Sequence, residues 1–107
     1  MANIKEWLEE AVEKYGEPIE AIVVGPHDHA KWRNAPVGVD ENIVLTPDVA
    51  LTKLNVEYNN GYGGADCFPM YAWTKSRVFF ISEYDGSTGL SFVPRHPVAG
   101  EPYFNGE

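Results

Sequence analysis

Tyr84-Asp85-Gly86-Ser87 separates two runs rich in aromatic and β-branched residues, and it constrains the fold more than any other feature of the chain. Asp-Gly is a favoured pair for a two-residue type I′ hairpin turn, whose central positions both need positive φ. A two-residue loop sets the register of the strands on either side. Here it places Ile81 opposite Leu90 and Phe79 opposite Phe92. A second two-residue turn at Lys75-Ser76 would put Trp73 opposite Val78 and Ala72 opposite Phe79. Side chains alternate between the faces of a strand. One face of this meander therefore carries Met70, Ala72, Phe79, Ile81, Leu90 and Phe92. The other carries Tyr71, Trp73, Val78, Phe80 and Val93.

Both faces are apolar, and one helix can cover only one of them. The second face must lie under the segment from His27 to Asp48, under the Pro-rich tail, or under a partner. Pro94, Pro97 and Pro102 keep that tail out of a central strand, so it is expected to wrap the surface.

The helix lies at the start of the chain. Ile4, Trp7, Leu8, Ala11, Val12 and Tyr15 repeat at the spacing of one buried helical face. Asn3 suits the N-cap and Glu6 completes a capping box. Gly16 suits the left-handed position after the last turn, and Pro18 blocks continuation. Ile19 to Val24 reads as a buried strand ending at Gly25-Pro26. Asn42 to Leu45 reads as a short strand, and Thr46-Pro47-Asp48 as a single helical turn. Leu54, Val56 and Tyr58 alternate with polar residues as a half-buried strand would.

The expected architecture is α+β, with an N-terminal amphipathic helix packed on a mainly antiparallel sheet. One domain of residues 1–107 divides into a helix (1–18), short strands and loops (19–58), a glycine loop and β-meander (59–97), and a tail (98–107).

Charge narrows the partners. The chain has 16 acidic residues against 8 Lys plus Arg, a formal charge of −8. Nucleic-acid affinity rests mainly on clustered cations, so a phosphate-backbone binder is not expected. An anionic membrane surface is disfavoured for the same reason. Met1-Ala2-Asn3-Ile4-Lys5-Glu6 lacks the basic and then apolar run of a signal peptide. A single cysteine, Cys67, allows no internal disulfide. These features point to a cytoplasmic protein.

Candidate chemistry is sparse. His27-Asp28-His29 offers two imidazoles that Asp28, Asp66 or Cys67 could complete into a metal site, but zinc needs three or four converging ligands. A polar loop after Gly25-Pro26 accounts for the same residues, so no metal or cofactor is assigned. Cys67 has no nucleophile signature around it, and cysteine is most often a core residue. Gly61-Tyr62-Gly63-Gly64 lacks the Gly-Lys-Ser/Thr of a phosphate cradle. It is either a tight turn or a close-approach loop with Tyr62 beside a ligand. Tyr71, Trp73 and Phe80, with Arg77 near the strand end, have the composition of an interface hot spot or of a second core layer. Arg95 is a fixed cation between Pro94 and His96, able to receive a carboxylate or phosphate or to pair with a surface acid.

The stretch from Tyr58 to Pro97 resembles small proteins encoded by actinobacterial phages and by some of their hosts. The residues carrying the likeness are Gly61-Tyr62-Gly63-Gly64, Asp66-Cys67, Tyr71-Ala72-Trp73-Thr74, Arg77-Val78, Glu83-Tyr84-Asp85-Gly86-Ser87-Thr88 and Val93-Pro94-Arg95. That family has no assigned activity and brings no catalytic residues. The resemblance implies an accessory gene product in a bacterial cytoplasm. Joined to the residue reading, it gives a non-catalytic, acidic binding protein that engages a host protein, a small ligand or a second copy of itself. The binding residues are expected to be Tyr62, Tyr71, Trp73, Arg77, Phe80 and Arg95. A homo-oligomeric virion or assembly component, and a small metal-dependent or thiol enzyme built on the His27–His29 loop, are the alternatives.

Overall fold

The structure is a computed structural model, described for residues 2–26, 41–58, 67–84 and 87–106. The elements run α1 (Ile4–Tyr15), β1 (Ala21–Val24), β2 (Val44–Leu45), α2 (Pro47–Leu54), β3 (Met70–Trp73), β4 (Arg77–Tyr84) and β5 (Ser87–Pro94). The fold is α+β, as the patterning predicts.

Helix α1 starts where Asn3 accepts a hydrogen bond from the Glu6 N–H at 3.2 Å. It ends at Gly16, whose φ of 70° only glycine adopts without strain. Its N–H closes the last turn on the Val12 carbonyl.

All strands join one antiparallel sheet in the order β2-β1-β3-β4-β5. The register expected from the two turns is present: Phe79 pairs with Phe92, Ile81 with Leu90, Ala72 with Phe79 and Trp73 with Val78. Tyr84 pairs with Ser87, across the Asp85-Gly86 turn that itself lies outside the described residues.

The middle of the chain departs from expectation. The proposed strand from Leu54 to Tyr58 does not form. Pro47–Leu54 is instead a helix of 8 residues, longer than the single turn expected, and Leu54 is its last residue. Ala50 and Leu54 lie one turn apart on its buried side, which gives the segment a helical period. Pro47 is suited to the first turn, where its missing N–H costs nothing. Of the proposed strand only Tyr58 makes a β-bridge, an isolated one to Ala2.

Both helices pack on the same face of the sheet. Ile4, Leu8 and Ala11 of α1 and Ala50 and Leu54 of α2 share one core with Ile22, Val24, Met70, Ala72 and Phe79. Tyr15 extends it toward the far edge, with its ring 5.4 Å from Phe92 and 6.0 Å from Phe79. Among the described residues no helix covers the opposite face. No helix among them is long and apolar enough to cross a membrane.

Candidate functional site

The face that no described helix covers is built row by row across the sheet; residues 27–40, expected as one possible cover for it, lie outside the described residues. Val44, Val23, Tyr71, Phe80 and Ser91 form one row of directly opposed residues. Ala21, Trp73, Val78 and Val93 form the next. Tyr71 is 56% exposed and Val44 71%, while Trp73, Val78 and Phe80 are half-buried. The Tyr71 and Trp73 rings meet edge to face at 6.1 Å.

Tyr71 and Phe80 also wall a hollow of about 360 Å³, together with Val23, Gly25, Pro26, Asn42 and Pro69. Gly25 closes one end, where its N–H bonds to the Pro69 carbonyl and an added Cβ would stand 3.0 Å from Pro69 Cγ. Asn42 closes another, held at a φ of 61° with its N–H on the Val24 carbonyl. Asparagine tolerates that left-handed conformation better than most residues. The lining residues carry no charged group; the Asn42 amide and the Tyr71 hydroxyl are the polar side-chain groups among them. Such a lining can stack and bury an apolar group, and among the described residues it includes no acidic or basic side chain.

The tail runs along the β5 end of this side, where Val98, Pro102, Tyr103 and Gly106 wall a hollow of about 160 Å³ with Val93. Gly106 has a φ of 75°, and a Cβ there would lie 2.9 Å from Phe80 Cζ and 2.6 Å from the Phe92 carbonyl oxygen. It therefore shields Phe80 and leaves Tyr71 open. Val98, Tyr103 and Phe104 remain exposed.

Arg77 and Arg95 do not belong to the open face. Arg77 lies on the helix side, its guanidinium 4.1 Å above the Tyr15 ring and 3.3 Å from Glu17 Oε1. Glu17 gathers the whole β3–β4 turn. It accepts from Thr74 Oγ1 at 2.8 Å, from Ser76 Oγ at 2.7 Å and from the Ser76 N–H at 3.4 Å. The Ser76 and Thr74 hydroxyls, helped less by Arg77, hold its carboxyl below the ordinary value of 4.5. Arg95 pairs with Glu20 and donates to the Thr74 carbonyl at 2.9 Å. Both arginines are engaged in holding this corner together, so neither is a free cation for a ligand.

Cys67 is buried beside Tyr58. Burial pushes the Tyr58 phenol up to about 12, and Cys67 adds to the rise while Thr88, donating at 3.4 Å, opposes it. A phenol held neutral in this way supplies no base for a thiol at neutral pH. Among the described residues no three His, Cys, Asp or Glu side chains converge on a metal position. His27, His29, Tyr62 and Asp66 lie outside the described residues.

Sequence reasoning missed the larger hollow, a groove of about 500 Å³ on the helix side between α1 and the β4–β5 hairpin. Trp7, Ala11 and Tyr15 wall it on one side and Phe79, Leu90 and Phe92 on the other, with Glu10 and Lys14 at the rim. Helical spacing assigned Trp7 and Tyr15 to the core without revealing that both stay half-buried. The available signal was Glu10 and Lys14, which continue the row of Trp7 and mark that flank of the helix as facing water.

Comparison with protein-family models, with curated proteins and with solved structures finds no match to this chain.

Proposed function

We propose that this chain is a non-catalytic binding protein that engages a partner protein through the sheet face opposite α1 and α2. The observation that carries the reading is Tyr71 on the central strand β3, 56% exposed and lining a hollow at the strand ends whose described lining is uncharged. A large aromatic ring in that setting gains most when a partner removes it from water. Tyr71, Trp73 and Phe80 form the contact surface, and Val44 and Val93 extend it. The formal charge of −8 favours a basic partner and speeds the encounter more than it strengthens the complex. The likeness to phage-encoded accessory proteins supplies the setting, a bacterial host cytoplasm with a host protein as target.

Affinity capture from host lysate with the unaltered chain, Tyr71→Ala and Trp73→Ala tests this. The reading expects one or more partners to be lost from both variants while their melting temperatures hold. Equal recovery of every partner by both variants overturns it. A homo-oligomer formed by the same face is the second reading, favoured by the uncharged row from Val44 to Phe80. Light scattering of the pure protein separates the two: a closed oligomer that Tyr71→Ala dissociates establishes the second.

A further inference from the structure

Among the described residues no strand pairs with the outer edge of β5, and Leu90 and Phe92 of that strand line the helix-side groove. Tyr84 and Ser87 flank a two-residue loop, so they form a hydrogen-bonded pair. Such pairs alternate along an antiparallel ladder. Ser87, Gly89, Ser91 and Val93 therefore turn their backbone groups toward β4, and Thr88, Leu90 and Phe92 turn theirs outward. Pro94 fits this phase, since its missing N–H would also face outward. Among the described residues the outward groups of Thr88, Leu90 and Phe92 make no backbone hydrogen bond.

Edges of this kind are usually blunted by charge or by short length. β5 is 8 residues long, and its sequence Ser-Thr-Gly-Leu-Ser-Phe-Val-Pro contains no charged residue. The side chains of Leu90 and Phe92 floor the groove of about 500 Å³ whose other wall is Trp7, Ala11 and Tyr15 of α1.

We infer that β5 is a strand-addition site for an extended peptide carrying one large apolar side chain between basic residues. Only another extended backbone meets N–H and C=O groups spaced two residues apart along one edge. A guest residue hydrogen-bonded to Leu90 stands directly opposite it, so its side chain points to the same face and enters the groove. Apolar walls with six carbon-rich side chains select a phenylalanine, leucine or methionine there. The guest is basic because the whole chain carries a formal charge of −8, although at the groove rim Glu10 stands beside Lys14 and Glu9 is paired with Lys5. The same charge opposes a second copy of this chain as the guest. At Phe92 the ladder stops, since Gly106 already lies against that carbonyl. The site stands apart from the sheet face opposite α1 and α2 and does not depend on it.

The test uses the full chain and a capped nine-residue peptide of alternating threonine and valine, with a central phenylalanine and two lysines at each end. Amide hydrogen exchange of the free protein should show Leu90 exchanging faster than Gly89 and Ser91. Saturating peptide should slow the Leu90 amide at least ten-fold and leave Gly89 and Ser91 little changed. A peptide N-methylated at its central residue, or with serine in place of phenylalanine, should bind at least ten-fold more weakly. Glu10→Lys should weaken binding severalfold at low salt, and Tyr71→Ala should leave it unchanged. The inference is overturned if the first peptide fails to bind at millimolar concentration or if the N-methylated peptide binds equally well. It is also overturned if Leu90 is already protected in the free protein because the chain dimerises along β5, or if the peptide binds without slowing Leu90, which would make the groove a pocket for a compact ligand.

Discussion

Alternate residues of the same strands build the two sides of the sheet, and those sides end in opposite conditions. Ala72 is wholly buried beneath the helices, while Tyr71, its chain neighbour, is 56% exposed. Ile22 is likewise buried and Val44, across the sheet on the other side, is 71% exposed. Apolar content does not separate them, because both sides are rich in aromatic and branched residues. What separates them is where the connections deliver α1 and α2, which is the same side both times. An apolar face is thus not a buried face until something is laid on it.

The largest effect that could break this contrast is a cavity on the covered side. Ile22→Ala should cost about 2–5 kcal/mol, read from urea unfolding, because its wholly buried side chain has no solvent to refill the space. A cost near that of a surface substitution would mean the covered side is loosely packed. Next, Tyr58→Phe removes the phenol buried on the covered side. Its raised value means the fold prefers the neutral form, so the stabilisation is complete below 10.0 and is lost as pH climbs toward about 12. The variant should lose less stability over that alkaline window than the parent, and an identical decline would place the Tyr58 hydroxyl in water.

Glu17→Gln probes the polar rim between the two sides. A carboxyl held below its ordinary value stabilises the fold above pH 4.5, and that contribution fades as pH falls through the lowered value. The parent should therefore exceed the variant in urea midpoint at pH 6, and the gap should close in acid; a gap constant with pH would rule out the charged contact. The smallest effect belongs to the open side. Tyr71→Ala should change stability by no more than about 0.5 kcal/mol, as expected for an exposed site away from packing or capping. A loss approaching that of Ile22→Ala would show that Tyr71 is a core residue in solution.

Much of the fold could be read directly from residue patterns. Asn3, Gly16 and the apolar spacing between them define α1, and Asp85-Gly86 defines the pairing of β4 with β5, because both signals are local backbone chemistry. The segment from Pro47 to Tyr58 misled for a physical reason. Leu54, Val56 and Tyr58 do alternate, but Val56 points into solvent and Leu54 belongs to a helix that already satisfies its backbone. Pro47 at the start and the Ala50–Leu54 spacing outweigh a three-residue alternation. The candidate site was legible only in part. Tyr71, Trp73 and Phe80 share a face because side chains alternate along paired strands, which needs only the register. Arg77 seemed to join them, yet one residue's difference in phase sends it to the other side against Tyr15. Its partner Glu17 is 60 positions away in the chain, and no local pattern announces such a contact. The helix-side groove depends on how far α1 stands from β5, a distance that periodicity does not encode.

The strand order carries a consequence for how the molecule comes together. β4 and β5, and β3 before them, are neighbours in the chain and can zip from their short turns. β1 is different: it sits inside the sheet between β2 and β3, and the whole first half of the chain has been made before β3 exists to receive it. Closing so long a loop is costly in entropy and slow. During refolding the meander should be native while the N-terminal third is still searching, and the last event should be the slotting of β1 into its gap, with α1 carried in behind it.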